Sequence, residues 1–114
     1  MRNTYTGNEG MRDSSQELIY GINIRNTVLQ QLIAVGTSAT PLPTTQLSKR
    51  MSLLITNDGT AVVYIGSSTV TKDGATKGFP IYPRGSLLLN CEDKVDVYGI
   101  VATGTVNVII LEGA

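Results

Sequence analysis

The side chains that most often perform acid–base, nucleophilic and metal chemistry are scarce in this sequence. It has no histidine and a single cysteine, Cys91. The commonest general base, the commonest metal ligand and every histidine-dependent triad are therefore excluded, and zinc sites made of carboxylates alone are rare. Cys91 ends the apolar run SLLLNC, which favours a small buried thiol over a nucleophile.

The remaining chemical candidates are carboxylates. Glu92, Asp93 and Asp96 carry the oxygen ligands that calcium prefers, but their spacing matches no calcium loop and is typical of a solvated turn around Lys94. The glycines form neither a P-loop nor a dinucleotide fingerprint. A carboxylate pair for glycoside hydrolysis stays open on spacing alone, although the chain has no tryptophan for a sugar platform. We expect no catalytic residue, no metal, no cofactor and no enzymatic activity.

Charge and hydropathy limit the partners. Nine basic residues balance nine acidic ones, with three of each before residue 27, whereas phosphate binding requires a clustered positive excess. No signal-peptide pattern is present, and no apolar run approaches the roughly 20 residues that span a bilayer. One cysteine also excludes an intrachain disulfide. We expect a chain made in a reducing cytoplasm that binds neither nucleic acid nor membrane.

The elements that must position any site fall into two parts. Residues 1–26 are polar, are interrupted by glycines and show no sustained periodicity, which predicts an extended N-terminal arm. Ser14 and Glu17 have capping-box spacing, but the window is too short for a stable helix. Residues 27–114 alternate short β-branched and aliphatic runs with turn residues, which predicts an all-β domain, a small antiparallel β-sandwich or barrel that is jelly-roll-like.

Seven strands are predicted in the domain, at 28–35, 50–56, 61–66, 79–82, 86–91, 95–101 and 105–112. Asn57-Asp58-Gly59-Thr60 predicts a tight hairpin in which Asp-Gly supplies positive φ angles. A second hairpin of the same kind is predicted around Thr103-Gly104. Pro41 and Pro43 favour an extended edge segment or a connection, and the polar loop 67–78 is expected to be exposed.

Apolar residues on the solvent-facing side of a strand indicate where a partner binds. In the second predicted strand, alternation places one set of residues inward, Met51, Leu53 and Ile55, and another toward solvent, Arg50, Ser52 and Thr56. Leu54 breaks this pattern, and so do Ile109 and Leu111 in the last strand. These three are predicted interface residues. Burial under the segment 27–47 is the alternative explanation.

The arm contains its own apolar cluster. We predict that four residues of this otherwise polar segment meet a partner surface: Leu18, Ile19, Tyr20 and Ile22. Such an arm can add to the sheet edge of another chain by backbone hydrogen bonds. Local packing against the parent domain is the alternative.

From Arg50 onward, the sequence contains three stretches whose order is characteristic. RMSLLITNDGTAVVYIGSSTVT, YPRGSLLLN and VDVYGIVATGTVNVIILEG together resemble a small β-sandwich module of tailed-bacteriophage virion proteins. That module has a strand ending in Thr-Asn, a VYIG strand, a polar loop, a Pro-x-Gly turn and a closing hairpin rich in valine and isoleucine. Nothing in residues 1–30 contributes to the resemblance.

The resemblance implies a capsid decoration, or cement, protein located in the virion. Such proteins are often trimers placed where capsomers meet, with terminal arms laid across neighbouring coat subunits. We therefore expect the N-terminal arm, residues 1–26, to anchor this chain to the capsid that it stabilises. The implied partners are the major capsid protein or other virion proteins, together with further copies of the chain, a trimer being favoured. Two alternatives stay open: a receptor- or glycan-binding module of a head fibre or tail that uses the loop 67–78, and a component of a tail or connector ring.

Overall fold

The structure, a computed structural model, describes Ile22 and residues 24–114. These residues form eight strands and one 3-10 turn at Gly74–Thr76. The strands in chain order are β1 Val28–Val35, β2 Thr40–Pro41, β3 Ser52–Asn57, β4 Val63–Gly66, β5 Phe79–Ile81, β6 Ser86–Leu89, β7 Tyr98–Val101 and β8 Val106–Gly113. Within this part of the chain no helix is long and apolar enough to cross a membrane.

The strands form two antiparallel sheets of four. Sheet A has the order β1-β8-β3-β6, and sheet B has the order β2-β7-β4-β5. Every connection except β4 to β5 carries the chain from one sheet to the other. This is the eight-stranded arrangement of a jelly roll. The predicted fold class is therefore confirmed, and β2 lies at an edge as the two prolines of its segment predict.

The core fills the space between the sheets. Alternation along β8 and β3 turns every second side chain inward, and those residues are fully buried: Leu53, Ile55, Val108 and Ile110. Sheet B contributes Val63, Ile65, Ile81 and Val101 from the opposite side. Each such side chain contributes about 1.5–3 kcal/mol of hydrophobic stabilisation. Leu42 closes the core from the segment after β2 and is 1% exposed.

Both predicted hairpins are wrong. Residues 57–60 connect β3 of sheet A with β4 of sheet B, and the Thr103-Gly104 turn likewise connects β7 with β8 across the sandwich. Gly104 has a positive φ of 69°, but Gly59 is not among the described residues with positive φ. The Asn57 side chain makes the first corner instead. Turn residues signal that a chain reverses, and they do not determine which sheet receives the next strand.

The predicted solvent face of the second strand is also partly wrong. Arg50 is 2% exposed and Ser52 is 0% exposed, whereas Thr56 is half-buried and shares a hydrogen bond with Ser86 at 2.8 Å. Arg50 is buried because it meets the carboxylate of Glu112. The Ser52 hydroxyl donates to Asn90 Oδ1 at 2.8 Å. Buried polar groups are stable when they are hydrogen-bonded. Both Arg50 Nη atoms and the Ser52 hydroxyl are hydrogen-bonded, whereas Arg50 Nε and Glu112 Oε1 are buried without a partner among the described residues.

Candidate assembly interface

The outer surface of sheet A carries apolar side chains on all four strands. The pairing register sets Gln30, Leu111, Leu54 and Leu88 in one row across the sheet. It sets Leu32, Ile109, Thr56 and Ser86 in the next row. Val28 lies one row further along β1, opposite Gly113. We call the apolar members of these rows the outer patch: Val28, Leu32, Leu54, Leu88, Ile109 and Leu111.

The outer patch is accessible to a partner. Leu32 is 64% exposed, Val28 48% and Ile109 40%, while Leu54, Leu88 and Leu111 are half-buried by their neighbours on the same face. Directly opposed side chains on one face of an antiparallel pair are in contact, so Leu54 and Leu111 form a continuous surface. A contiguous exposed apolar surface of this kind marks an interaction site more often than scattered single residues do.

The structure brings the three predicted domain residues together. Leu54 lies opposite Leu111, and Ile109 lies opposite Thr56 in the adjacent row. The segment 27–47 does not cover them, since its strand β1 lies beside β8 in the same sheet. Sequence reasoning missed Val28, and it also missed Leu32 and Leu88. Both belong to apolar runs, LIAV and SLLL, in which periodicity alone does not reveal which residue faces outward.

The predicted arm residues Leu18, Ile19 and Tyr20 lie outside the described residues, and Ile22 is half-buried. The point at which the arm joins the domain is defined. The backbone N–H groups of Arg25, Asn26 and Thr27 all donate to the carbonyl oxygen of Ala114, at 2.9, 2.6 and 2.9 Å. Residues 25–27, which precede β1, are therefore attached beside the C-terminal end of β8.

A second apolar feature is a cavity between the two sheets. It lies at the side where β6 is the edge strand of sheet A and β5 is the edge strand of sheet B. This cavity has a volume of about 440 Å³. We call it the edge groove, and its apolar walls are Ile65, Phe79, Leu87, Leu89, Val95 and Val97. Phe79 is 61% exposed and Val95 is 47% exposed, so the groove opens to the surface.

The acidic cluster has specific partners. Asp93 Oδ2 accepts a hydrogen bond from the backbone N–H of Lys49 at 2.9 Å, and Asp96 Oδ1 accepts one from Gln46 Nε2 at 2.6 Å. These contacts attach the turn after β6 to the segment that precedes β3. Across the described part of the chain, no three His, Cys, Asp or Glu side chains lie where they could hold a metal ion.

Cys91 and the loop 67–78 have structural surroundings. Cys91 is half-buried and packs against the core, with Sγ 3.6 Å from an Arg50 nitrogen. The loop is mostly exposed, but Val70 is 5% exposed and anchors it. The Thr71 hydroxyl donates to the carbonyl of Asp73 at 2.6 Å, which closes the tip of the loop.

Comparisons with protein-family models, with curated proteins and with solved structures found no match to this chain.

Proposed function

We propose that this chain is a non-enzymatic structural protein of a tailed-phage virion, which binds and stabilises the capsid as a decoration protein. The observation that carries the proposal is the outer patch, a group of outward-facing apolar side chains to which all four strands of sheet A contribute. The order of sequence motifs from Arg50 onward supports the phage assignment. Fold alone does not determine function, so the proposal depends on the patch and on these motifs.

The partner that binds the outer patch is the coat protein. With strands about 4.8 Å apart and rows about 6.8 Å apart, four strands and three rows present about 400 Å² of sheet face, of which the outer patch occupies roughly half. A stable protein interface buries about 800 Å² on each partner. One patch therefore gives a weak contact. An oligomer that presents several patches to a repeating shell multiplies weak contacts into strong binding, which is how a decoration protein adheres.

The balanced charge of the chain is compatible with this mode of binding. Without a net charge, long-range electrostatic attraction contributes little, and the association depends on burial of apolar surface. We expect binding to vary little with salt concentration, in contrast to proteins that bind shells through basic surfaces.

The experiment that tests the proposal measures how many copies of the chain bind to each capsid. Leu32→Asp places a charge in the outer patch at a position that is 64% exposed, so the fold is preserved. Tyr82→Asp is the matched control, since Tyr82 is also 64% exposed and belongs to neither the outer patch nor the edge groove. Both variants and the wild type are added to capsids from the phage that encodes the chain, and bound copies are counted after sedimentation.

We expect wild type and Tyr82→Asp to saturate the shell and Leu32→Asp to lose at least tenfold in apparent affinity, since a charge buried at an apolar interface is costly. Equal binding of all three proteins would contradict the assignment of the patch. Absence of wild-type binding would contradict the decoration function itself.

A further inference from the structure

We infer that the edge groove, together with the open edge of β6, binds residues 18–22 of a second copy of this chain as an added strand. The inference concerns self-association and does not depend on the outer patch, which lies on the opposite surface of sheet A. It gives a physical basis for an oligomer, which the sequence alone does not provide.

The open edge of β6 is the first element of the inference. β6 pairs with β3 on one side, and among the described residues no strand pairs with it on the other. Asn57 N–H donates to the carbonyl of Gly85 at 2.9 Å. Because hydrogen-bonded pairs alternate in an antiparallel ladder, Leu87 and Leu89 bond to β3. The backbone groups of Ser86 and Leu88 therefore point toward the open edge.

The edge groove is the second element. Leu87 and Leu89 turn inward and line it, and Phe79 faces them from sheet B. A strand added beside β6 would send every second side chain into this space, alongside Leu87 and Leu89. A peptide bound in this mode gains affinity from backbone hydrogen bonds and specificity from the pockets that receive alternate side chains.

The sequence of residues 18–22 fits these positions. In Leu-Ile-Tyr-Gly-Ile, the strand period of two places Leu18, Tyr20 and Ile22 on one face. These three side chains are large and apolar, as the groove requires. Ile19 would then lie on the other face, beside Leu88 and the outer patch. The remainder of residues 1–26 is largely polar and offers no second run of this kind.

The length of the chain favours a second copy as the donor. Arg25 is fixed beside the end of β8 by its hydrogen bond to Ala114. The position beyond β6 is three strands away from β8, a distance of about 14 Å. Ile22 precedes Arg25 by three residue steps, which span at most about 11 Å. Ile22 of the same chain is therefore at or beyond the limit of its reach, whereas the donor segment of a neighbouring chain meets no such limit.

The experiment measures the mass of the full-length chain by sedimentation equilibrium. Tyr20→Asp disables the donor segment, and Phe79→Asp disables the groove at a 61% exposed position. Tyr82→Asp is the matched control for Phe79→Asp. We expect an oligomer for the wild type and for Tyr82→Asp, and a monomer for Tyr20→Asp and for Phe79→Asp. If circular dichroism shows that Phe79→Asp is unfolded, Val95→Asp takes its place in the groove.

Mixing the two disabled variants tests exchange between chains. Tyr20→Asp keeps an intact groove and Phe79→Asp keeps an intact donor segment, so an equimolar mixture should contain a complex of two chains that neither variant forms alone. A mixture that stays monomeric, a monomeric wild type, or an equal effect of Tyr82→Asp and Phe79→Asp would each overturn the inference. Leu32→Asp should remain oligomeric, so failure of the shell assay and failure of this inference are distinguishable.

Discussion

The guanidinium of Arg50 and the carboxylate of Glu112 form an ion pair inside the sandwich, with Nη1 and Oε2 3.0 Å apart and both side chains 0% exposed. Arg50 Nη2 also donates to the carbonyls of Glu92 and Val95, at 2.8 and 2.7 Å. Glu112 Oε2 accepts the backbone N–H of Leu47 at 3.0 Å. One pair of side chains thus connects β8, the segment before β3 and the turn that forms one wall of the edge groove.

The first prediction concerns this ion pair. Arg50→Met leaves the Glu112 carboxylate buried without its cation, which costs about 3–5 kcal/mol of unfolding free energy. Lys72→Met is the control, because the Lys72–Asp73 pair is separated by 3.8 Å and its side chains are 50% and 80% exposed. An exposed pair contributes little, so the control should change stability by less than about 0.5 kcal/mol. Urea unfolding of both variants provides the measurement.

The double variant Arg50→Met with Glu112→Gln refines the first prediction. Glutamine removes the charge and keeps an oxygen that can accept from Leu47, so the double variant should lose less stability than the sum of the two single variants. Additive losses would show that the two side chains do not interact energetically.

The second prediction concerns the corner at Asn57. Its Nδ2 donates to the carbonyls of Ala61 and Ile81 at 2.7 and 2.8 Å, and its Oδ1 accepts the N–H of Gly59 at 2.9 Å. Asn57→Ala removes all three hydrogen bonds at a fully buried position. We expect a loss of about 2–4 kcal/mol in unfolding free energy.

The control for this corner is Asn107→Ala. Asn107 is exposed on β8, and its replacement should change stability by less than about 0.5 kcal/mol. Thermal denaturation followed by circular dichroism compares the two proteins. Similar melting temperatures for both variants would refute the role assigned to the Asn57 side chain.

The third prediction concerns Gly78, the last residue of the exposed loop 67–78. A Cβ at this position would approach Val70 Cγ2 at 2.5 Å and the backbone N and O of Ile65 at 2.8 Å. The backbone of β4 cannot move without disturbing the core, so Gly78→Ala should destabilise the fold by about 1–3 kcal/mol. Gly36→Ala, with no atom within 4 Å of the added Cβ, should be neutral in the same urea titration. An equally neutral Gly78→Ala would contradict the close packing of this loop against β4.

Local features of the fold were predictable from the sequence. The run VLQQLIAV is bounded by Thr27 and Gly36, and it forms β1 at Val28–Val35 as predicted. Alternation identified Leu53 and Ile55 as core residues because a strand exposes its two faces to different surroundings. These features depend on neighbours in sequence, and the pattern therefore contains them.

Features that depend on distant residues were not predictable. Arg50 looked like a surface residue because its partner Glu112 is 62 positions away, and no local pattern connects the two. Val70 looked like part of a polar loop. Its packing against Gly66 and Gly78 arises only when the chain folds, so no local pattern reveals it. The edge groove depends on which strands end each sheet, a property of the topology. Leu54, Ile109 and Leu111 were identifiable as apolar residues on the outer face of the sheet, because each breaks an alternating pattern.

Cryo-electron microscopy of capsids saturated with the chain tests the central claim most directly. The account predicts an added layer of density into which the jelly roll fits with the outer face of sheet A, Leu32 and Ile109 included, against the coat protein. It also predicts that this contact recurs at equivalent positions around the shell. Added density in which Leu32 and Ile109 face solvent, or shells that carry no added density, would contradict it.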